Sequence, residues 1–328
     1  MIIVTGAAGF IGSNIVADLE EDGHEDIVVC DTFGTDEKWK NISKRQIAAF
    51  ISPDKIQKYI ENNSRIIRCI IHMGAISATT EKDVDKLVEI NVNYSVMLWD
   101  ICSEFGIPFI YASSAATYGA KESELFDDES RDALHRLRPL NAYGWSKKVT
   151  DQIFTSRVAS GKPRPPQWVG LKFFNVYGPN EYHKGDMKSV IAKLYDPIKN
   201  GERVKLFKSD RTGIADGEQK RDFIYVKDCT RTILWILKTP RVNGIFNIGT
   251  GEARSFADLA SAIAMSLSKE VLIDFVDMPE NLKGKYQYFT RAEMAKLRGA
   301  GLNINYHSLE DGIDDYVKGY LDSDDRYR

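Results

Sequence analysis

A tyrosine and a lysine, Tyr143 and Lys147, stand four residues apart in the sequence. On a helix, side chains with this spacing lie on one face. A phenol with its ordinary pKa of about 10 is a poor base at neutral pH unless a nearby positive charge favours the phenolate. The pair could therefore remove a proton from a substrate hydroxyl and later return it.

A second pair with the same spacing, Tyr195 and Lys199, shows that the spacing alone is a weak indication. Ser114 distinguishes the first pair, because it follows a strand predicted over residues 108–113, and open parallel sheets bind ligands beyond the ends of their strands. A serine after a strand most often closes a turn, but its hydroxyl could also donate to a substrate oxygen. We predict that Tyr143, Lys147 and Ser114 are catalytic, and that the second pair is structural.

A glycine-rich turn directly follows the first predicted strand, residues 1–5, and precedes a predicted helix. Gly6, Gly9 and Gly12 give the spacing G-x-x-G-x-x-G. Glycines in such a turn let the backbone approach a pyrophosphate at the positive end of the helix. Asp31 ends the next predicted strand, residues 27–31, where an acidic residue binds a ribose hydroxyl. The sequence therefore predicts a dinucleotide cofactor.

The elements that position these residues alternate along the first half of the chain, which predicts a parallel sheet covered by helices on both faces. The other predicted strands are residues 68–72, 168–174 and 244–248. Predicted helices are residues 11–22, 53–62, 84–105, 189–200, 229–237, 255–267 and 291–300, and residues 209–219 are a predicted surface loop. We predict an α/β fold with a Rossmann-type doubly wound parallel sheet in residues 1–174, to which 222–250 return. Residues 175–221 and 251–328 form a smaller predicted C-terminal α/β lobe for the substrate.

Composition excludes several classes of protein. The 328 residues are 43% hydrophobic and 28% charged, which is typical of a globular protein. A net charge of −3 argues against a nucleic-acid-binding protein. No apolar run reaches the ~18 residues of a membrane span, and the early first strand leaves no room for a signal peptide. The four cysteines are far apart, which favours free thiols. We therefore expect a cytoplasmic protein with no membrane partner, no nucleic-acid partner and no metal site.

These motifs resemble the extended short-chain dehydrogenase/reductase family, whose members mostly modify nucleotide-linked sugars. Over nearly the whole chain the sequence is most similar to the ADP-L-glycero-D-manno-heptose 6-epimerase family within it. The most specific stretches are residues 76–81, 174–179, 183–185, 220–223, 247–251 and 282–287. The resemblance implies an NADP-dependent isomerase for lipopolysaccharide core biosynthesis. It would invert C6″ of ADP-D-glycero-D-manno-heptose through a ketone.

The resemblance also implies roles for particular residues. Because the ketone must present its opposite face to a fixed cofactor, a second proton-transfer group is needed, and Lys184 is that residue by resemblance. Implied cofactor contacts come from Gly6, Gly9, Phe10, Ile11, Gly12, Asp31, Thr32, Lys38, Met73, Gly74, Ala75, Ser77, Asn91, Lys147, Val176 and Lys184. Implied substrate contacts come from Asn175, Asp186, Lys193, Phe207, Lys208, Ser209, Asp210, Arg221 and Tyr286.

Some of these positions depart from the family or allow a second interpretation. Asp186 replaces a small hydroxyl residue, Lys193 stands in place of an expected histidine, and the segment from 207 to 210 differs and is followed by extra residues. Arg221 suits a diphosphate because its planar guanidinium matches phosphate oxygens, but it could instead pair with Asp222.

The residues after the second predicted strand are compatible with either NADP or NAD. Asp31 favours NAD, because a carboxylate repels a 2′-phosphate. A basic cluster of Lys38, Lys40, Lys44 and Arg45 could neutralise that phosphate, and the family carries a lysine at position 38. Pro53, however, replaces a second cofactor lysine of the family. We predict NADP, with NAD as the alternative.

Other functions and assemblies remain open too. The resemblance implies a homo-oligomer, with a pentamer as one form. The alternatives for function are another nucleotide-sugar epimerase or dehydratase, acting on a UDP- or GDP-sugar, and a non-catalytic NADP-binding sensor. Such sensors typically lose the tyrosine, lysine or serine, and all three are present here.

Overall fold

Short β-branched runs form the strands of the computed structural model, which describes residues 1–122, 125–280 and 286–328. Its strands are β1 (Ile2–Thr5), β2 (Ile27–Cys30), β3 (Ala49–Ile51), β4 (Cys69–His72), β5 (Phe109–Ser114), β6 (Trp168–Phe173), β7 (Asn175–Tyr177), β8 (Val204–Phe207), β9 (Lys220–Arg221), β10 (Phe223–Tyr225), β11 (Gly244–Ile248), β12 (Arg254–Ser255) and β13 (Ile273–Val276). Its α-helices are α1 (Phe10–Glu21), α2 (Ile56–Asn63), α3 (Val84–Leu87), α4 (Tyr94–Phe105), α5 (Arg131–Arg136), α6 (Ala142–Ala159), α7 (Val190–Lys199), α8 (Val226–Leu237), α9 (Phe256–Ser266), α10 (Ala295–Gly299) and α11 (Leu309–Tyr316).

Seven strands pair in parallel to form the central sheet, in the order β11-β6-β5-β4-β1-β2-β3. Every residue of β1, β2 and β4 is buried, as expected for strands that are covered on both faces. The strand order reverses between β1 and β4, and ligands bind beyond the carboxyl ends of the strands at such a point. The predicted α/β fold with a Rossmann-type parallel sheet is confirmed.

Successive residues of each strand point to opposite faces, and each face has its own core. On one face Val4 and Ile71 pack in a cluster with residues of α1 and α8. On the other face Ile3 and Ile70 pack with residues of α2, α4 and α6. There Trp99 of α4 stacks on Phe154 of α6, with ring centroids 4.2 Å apart. This packing holds α6, which carries Tyr143 and Lys147, firmly against the sheet.

A separate hydrophobic cluster unites elements from the second half of the chain. It contains Tyr195 of α7, Ile263 of α9 and Ile313 of α11, together with residues of β8. Tyr195 donates a hydrogen bond to Asp322 at 2.7 Å, and Lys199 pairs with the same carboxylate at 2.7 Å. The second tyrosine–lysine pair therefore serves packing at the surface of this cluster, as the sequence predicted.

Several elements differ from the sequence-based expectations. A π-helical turn, Val88–Asn93, interrupts the helix predicted over residues 84–105. The helix predicted from residue 291 begins only at Ala295. Of the segment 222–250, β11 joins the central sheet, whereas β10 pairs with β7 outside it. The sequence did not predict β3, because three residues are too few to show an alternation of apolar and polar side chains.

Candidate active site

A cavity of about 530 Å³ lies beyond the carboxyl ends of β1, β2, β4, β5 and β6. It brings together residues that the sequence placed in separate motifs. The predicted site residues that line it are Gly6, Gly9, Phe10, Ile11, Gly12, Asp31, Lys38, Met73, Gly74, Ala75, Ser77, Ser114, Tyr143, Lys147, Asn175, Val176 and Lys184. The cavity therefore joins the glycine turn, the tyrosine–lysine–serine group and the second candidate for proton transfer.

The glycine turn forms one wall of the cavity where β1 approaches β4. Gly6 has a φ of +64°, and a Cβ there would lie 2.5 Å from the backbone nitrogen of Gly74. At Gly12 a Cβ would lie 2.1 Å from the Gly6 carbonyl oxygen. No side chain caps the start of α1, so backbone N–H groups of its first turn are available to an anion. This cradle fits the pyrophosphate of a dinucleotide.

Substituting Gly12 with alanine should disrupt this cradle. The added methyl group cannot fit 2.1 Å from the Gly6 oxygen, so the turn must shift. We expect a loss of about 1–3 kcal/mol in the free energy of unfolding, as for overpacked cores, and loss of dinucleotide binding in calorimetry. Gly299→Ala is the matched control, because nothing lies within 4 Å of its Cβ position. Unchanged dinucleotide affinity in Gly12→Ala would contradict the role of the turn.

Asp31, which follows β2 and lines the cavity, is held by three donors. Its carboxylate accepts from the backbone nitrogens of Ala8 at 2.8 Å and Thr32 at 2.7 Å. The Lys38 ammonium donates to it at 2.5 Å. Thr32 itself is exposed and does not line the cavity. The negative charge of Asp31 is thus already partly neutralised by the protein.

The predicted basic cluster is divided among separate ion pairs. Lys40 pairs with Glu37, and Lys44 pairs with Asp325. Arg45 donates to Glu20 at 2.7 Å. Of the four basic residues, Lys38 is the one that lines the cavity. The cluster therefore does not act as a unit.

Tyr143 and Lys147 enter the cavity from the first turns of α6. Asn141 caps this helix by accepting from the Gly144 nitrogen at 2.8 Å. Burial raises the pKa of Tyr143, and a hydrogen bond with Ser114 opposes the rise only in part. Burial lowers the pKa of Lys147 to about 8, although the Asp151 carboxylate opposes this. The expected lowering of the Tyr143 pKa by a neighbouring cation is therefore not seen in this structure, where burial raises that pKa.

A buried ion pair links α6, which carries Tyr143 and Lys147, to the central sheet. Lys172 of β6 pairs with Asp151 of α6 at 3.0 Å, and both side chains are almost fully buried. The same carboxylate accepts from Tyr111 at 3.0 Å and Ser113 at 2.8 Å, both on β5. These bonds fix α6 relative to β5, and so fix Tyr143 and Lys147 relative to Ser114.

Asn91 reaches the site only indirectly. It is buried, does not line the cavity and lies in the π-helical turn. The Asn91 side-chain oxygen accepts from the backbone nitrogen of Ile76, and its side-chain nitrogen donates to the Ile76 carbonyl. The same nitrogen donates to the Ser146 hydroxyl of α6 at 3.0 Å. Asn91 therefore holds the segment after β4, which lines the cavity, against α6.

Lys184 lies on a tight turn, Tyr182–Met187, across from the glycine turn. Its ammonium is 5.2 Å from the ring centroid of Phe10. Burial lowers its pKa, and the nearby Glu181 opposes this. Glu181 is buried and accepts from the Ser189 hydroxyl at 2.6 Å, which fixes the base of the turn. Its neighbour His183 also lines the cavity, although sequence reasoning gave it no role beyond its place in the His183–Lys184–Gly185 motif.

The residues predicted to contact the substrate fall into three groups. Asn175 lines the cavity. A neighbouring cluster contains Arg221, Phe207 and Tyr286, and the Arg221 guanidinium lies 4.9 Å from the Tyr286 ring centroid. The same guanidinium lies 5.8 Å from the ring centroid of Phe256, which lines the cavity. The other predicted substrate contacts do not line the cavity. Asp186 and Lys193 are exposed to solvent. Lys208, Ser209 and Asp210 bond to Asp277, Asp216 and Tyr288 respectively. Residues 282–285 of the last family stretch lie outside the described residues.

Arg221 is a buried cation whose neighbour Asp222 is occupied elsewhere. Asp222 accepts from the backbone nitrogens of Thr250, Gly251 and Ala292 at 2.7–2.9 Å. Arg221 donates to the Lys220 carbonyl at 2.9 Å. Burial lowers the pKa of Arg221, and Tyr286 and the Glu122 carboxylate, rather than Asp222, oppose this. The alternative in which Arg221 pairs with Asp222 is therefore wrong.

Other parts of the described chain bear on the predicted partners. All four cysteines are buried and free. Residues 1–122, 125–280 and 286–328 contain no helix with the length and apolar character needed to cross a membrane. The same ranges contain no group of three or more histidine, cysteine, aspartate or glutamate residues placed to hold a metal ion.

Comparisons with known proteins find similarity to nucleotide-sugar epimerases. The family model described as "NAD dependent epimerase/dehydratase family" matches residues 2–249. An ADP-L-glycero-D-manno-heptose-6-epimerase of Nitratidesulfovibrio vulgaris is 49% identical over 323 residues, which is 98% of each chain. The solved structure of the Helicobacter pylori ADP-L-glycero-D-manno-heptose-6-epimerase is 26% identical, with a TM-score of 0.78 and coverage of 97% of this chain and 95% of that chain. A Bacillus cereus UDP-glucuronic acid 4-epimerase, in complex with UDP-glucuronic acid and NAD, is 26% identical, with a TM-score of 0.76 and coverage of 97% and 99%.

Proposed function

This chain belongs to the NAD dependent epimerase/dehydratase family, and we propose that it converts ADP-D-glycero-D-manno-heptose to ADP-L-glycero-D-manno-heptose. The observation that carries the proposal is that Tyr143 and Lys184, on separate elements, line one cavity together with the glycine turn. The full-length relative with this activity in its name supports the choice of sugar. The product is the heptose of lipopolysaccharide cores.

Inversion at C6″ explains why two proton-transfer groups are useful. The carbinol is oxidised to a ketone, which must then present its opposite face before it is reduced. Its oxygen occupies a different position in each orientation, so one fixed acid or base cannot serve both. Tyr143 serves one orientation and Lys184 the other, because both line the cavity and they come from separate elements, α6 and the turn Tyr182–Met187.

A bound nicotinamide dinucleotide would accept a hydride from the carbinol carbon and return it. Gly6, Gly9 and Gly12 would hold its pyrophosphate, and Lys147 would lie beside Tyr143. Because burial raises the pKa of Tyr143, this phenol retains its proton until positive charge lies near it. An oxidised nicotinamide ring would supply such charge and add to that of Lys147 on the same helix face, and the Ser114 hydroxyl orients the substrate oxygen.

We propose NADP as the cofactor. The Asp31 carboxylate already accepts from Lys38 and two backbone nitrogens, so it repels a 2′-phosphate less than a free carboxylate would. Lys38 lines the cavity and can itself contact that phosphate.

Arg221 is the proposed partner of the substrate diphosphate, and Arg221→Gln tests this. A buried guanidinium whose neighbour Asp222 is bonded to backbone nitrogens is suited to an anion. We expect the KM for ADP-heptose to rise roughly 10- to 100-fold, since hydrogen bonds between charged groups contribute about 1.5–3 kcal/mol. Affinity for NADP should change less than about twofold. Steady-state kinetics and calorimetry measure the two quantities, and an unchanged KM would contradict this role.

Assays with different sugars test the proposed function as a whole. ADP-D-glycero-D-manno-heptose, UDP-glucose and GDP-mannose are each incubated with the purified protein, and products are identified by NMR. We expect turnover of the ADP-heptose alone. Turnover of UDP-glucose or GDP-mannose without turnover of ADP-heptose would favour a different nucleotide-sugar epimerase or dehydratase.

The proposal also includes the domain organisation, the oligomeric state and the location of the protein. Residues 175–221 and 251–328 form the substrate lobe, because Arg221 and Tyr286 come from them. We further propose a homo-oligomer in the cytoplasm. The exposed apolar residues Val84 and Ile90, and Trp145 on α6, offer apolar surface for contact between copies.

A further inference from the structure

His183 lies at the edge of the cavity, where Asn41 fixes its orientation. The Asn41 amide nitrogen donates to Nδ1 of His183 at 3.1 Å and to the Ala8 carbonyl at 2.8 Å. Because this amide is buried and its nitrogen must face the Ala8 oxygen, Nδ1 is an acceptor. The neutral ring therefore carries its hydrogen on Nε2, which is left as a donor in a ring that lines the cavity.

The charged groups around His183 belong to the adenosine end of the cavity. Lys38 and Asp36 face it from the loop after β2, Asp31 from the end of that strand, and Lys184 from its own turn. Lys38 also donates to Asp31 at 2.5 Å and to the Thr32 carbonyl at 3.1 Å. In this fold the residue at the position of Asp31 lies at the adenosine ribose. His183 and Lys38 are therefore close to the ribose 2′ position.

We propose that His183 and Lys38 together bind a phosphate on the 2′ oxygen of the adenosine ribose, so that His183 is a second residue that selects NADP over NAD. This inference rests on the proposed function only in requiring that the cavity hold a nicotinamide dinucleotide. Lys38 offsets the charge of Asp31, and His183 adds a donor and, when protonated, a second cation.

The charge on His183 makes this selection dependent on pH. Burial and the Lys38 ammonium lower the pKa of His183 in the protein, while Asp36 and Asp31 oppose them. A bound phosphate dianion raises the pKa of His183. At pH values between the pKa of the free protein and the raised pKa of the complex, binding of the phosphate is therefore accompanied by uptake of a proton. Affinity for the 2′-phosphate should therefore rise as pH falls, down to the second pKa of the phosphate at about 6.

Two nucleotides that differ only at the ribose 2′ position test the proposal. Adenosine 2′,5′-bisphosphate and adenosine 5′-monophosphate are titrated into the wild type, His183→Ala and His183→Gln by calorimetry, at pH values of about 6.5 and about 8.5. The wild type should prefer the bisphosphate, and more strongly at the lower pH. His183→Ala should lower this preference by about tenfold at the lower pH. His183→Gln should retain part of the preference but lose its pH dependence, because glutamine donates a hydrogen bond without titrating.

Binding of adenosine 5′-monophosphate serves as the internal control and should change less than about twofold. An equal preference in wild type and His183→Ala would overturn the proposal, as would a wild type without any preference. Equal losses for both nucleotides would also overturn it, because His183 would then only build the cleft. Failure of the proposed function is seen separately, as a wild type that prefers the 2′-phosphate but does not epimerise ADP-heptose.

Discussion

Tyr143→Phe is expected to slow epimerisation of ADP-heptose by roughly 10²- to 10⁴-fold, the range for loss of a general acid or base. The substitution removes only the phenolic hydroxyl, which in the proposed mechanism exchanges the proton with the substrate oxygen in one of its two orientations. Packing of the ring in α6 is retained, so affinity for NADP should stay within about twofold. NMR of the sugar product gives the rate, and calorimetry gives the affinity.

Tyr195→Phe is the matched control, because Tyr195 is also followed by a lysine four residues later. Its hydroxyl donates to Asp322 at 2.7 Å and does not line the cavity. We expect a loss of about 1 kcal/mol in the free energy of unfolding, typical for one hydrogen bond, and unchanged turnover. Wild-type turnover in Tyr143→Phe would show that another group is the base.

Lys184→Met should produce a loss of comparable size, roughly 10²- to 10³-fold in epimerisation. Methionine keeps an unbranched apolar chain that can still contact the Phe10 ring but cannot exchange a proton. Because Tyr143 remains, the loss should appear in kcat in both directions of the reaction. It is measured by NMR, starting from either epimer.

The control for Lys184 is Lys162→Met, at an exposed position outside the cavity. This variant should keep wild-type rates. A Lys184→Met enzyme with kcat within about threefold of the wild type would contradict a two-group mechanism. Inversion would then have to depend on Tyr143 alone or on a different second group.

Features that depend on neighbouring residues could be predicted from the sequence. The buried strands of the central sheet are β-branched runs, and the glycine turn follows the first of them directly. Tyr143 and Lys147 share a helix face by spacing alone. Ser114 ends β5, which pairs with β6 along its whole length and with β4 only as far as Tyr111. Such local signals identified Ser114, Tyr143 and Lys147, which line the cavity.

Features that depend on contacts between distant segments could not be predicted in this way. Asn41 and His183 are 142 residues apart in sequence, and nothing local indicates that they meet. The basic residues after Asp31 look like one cluster in sequence, yet Arg45 and Lys44 turn to Glu20 and Asp325. The Asp151–Lys172 pair likewise exists only because α6 packs on β5 and β6. Asp222 is next to Arg221 in sequence, but its carboxylate accepts from three backbone nitrogens of distant segments instead.

Epimerisation in heavy water tests most directly whether one carbinol carbon is oxidised and then reduced on its other face. ADP-D-glycero-D-manno-heptose is incubated with the wild-type protein in D₂O, and the product is examined by proton NMR and mass spectrometry. We predict the L-glycero epimer with its original hydrogen at C6″, since that hydrogen leaves the substrate and returns without meeting solvent. Deuterium at C6″, or recovery of unchanged substrate, would contradict the account.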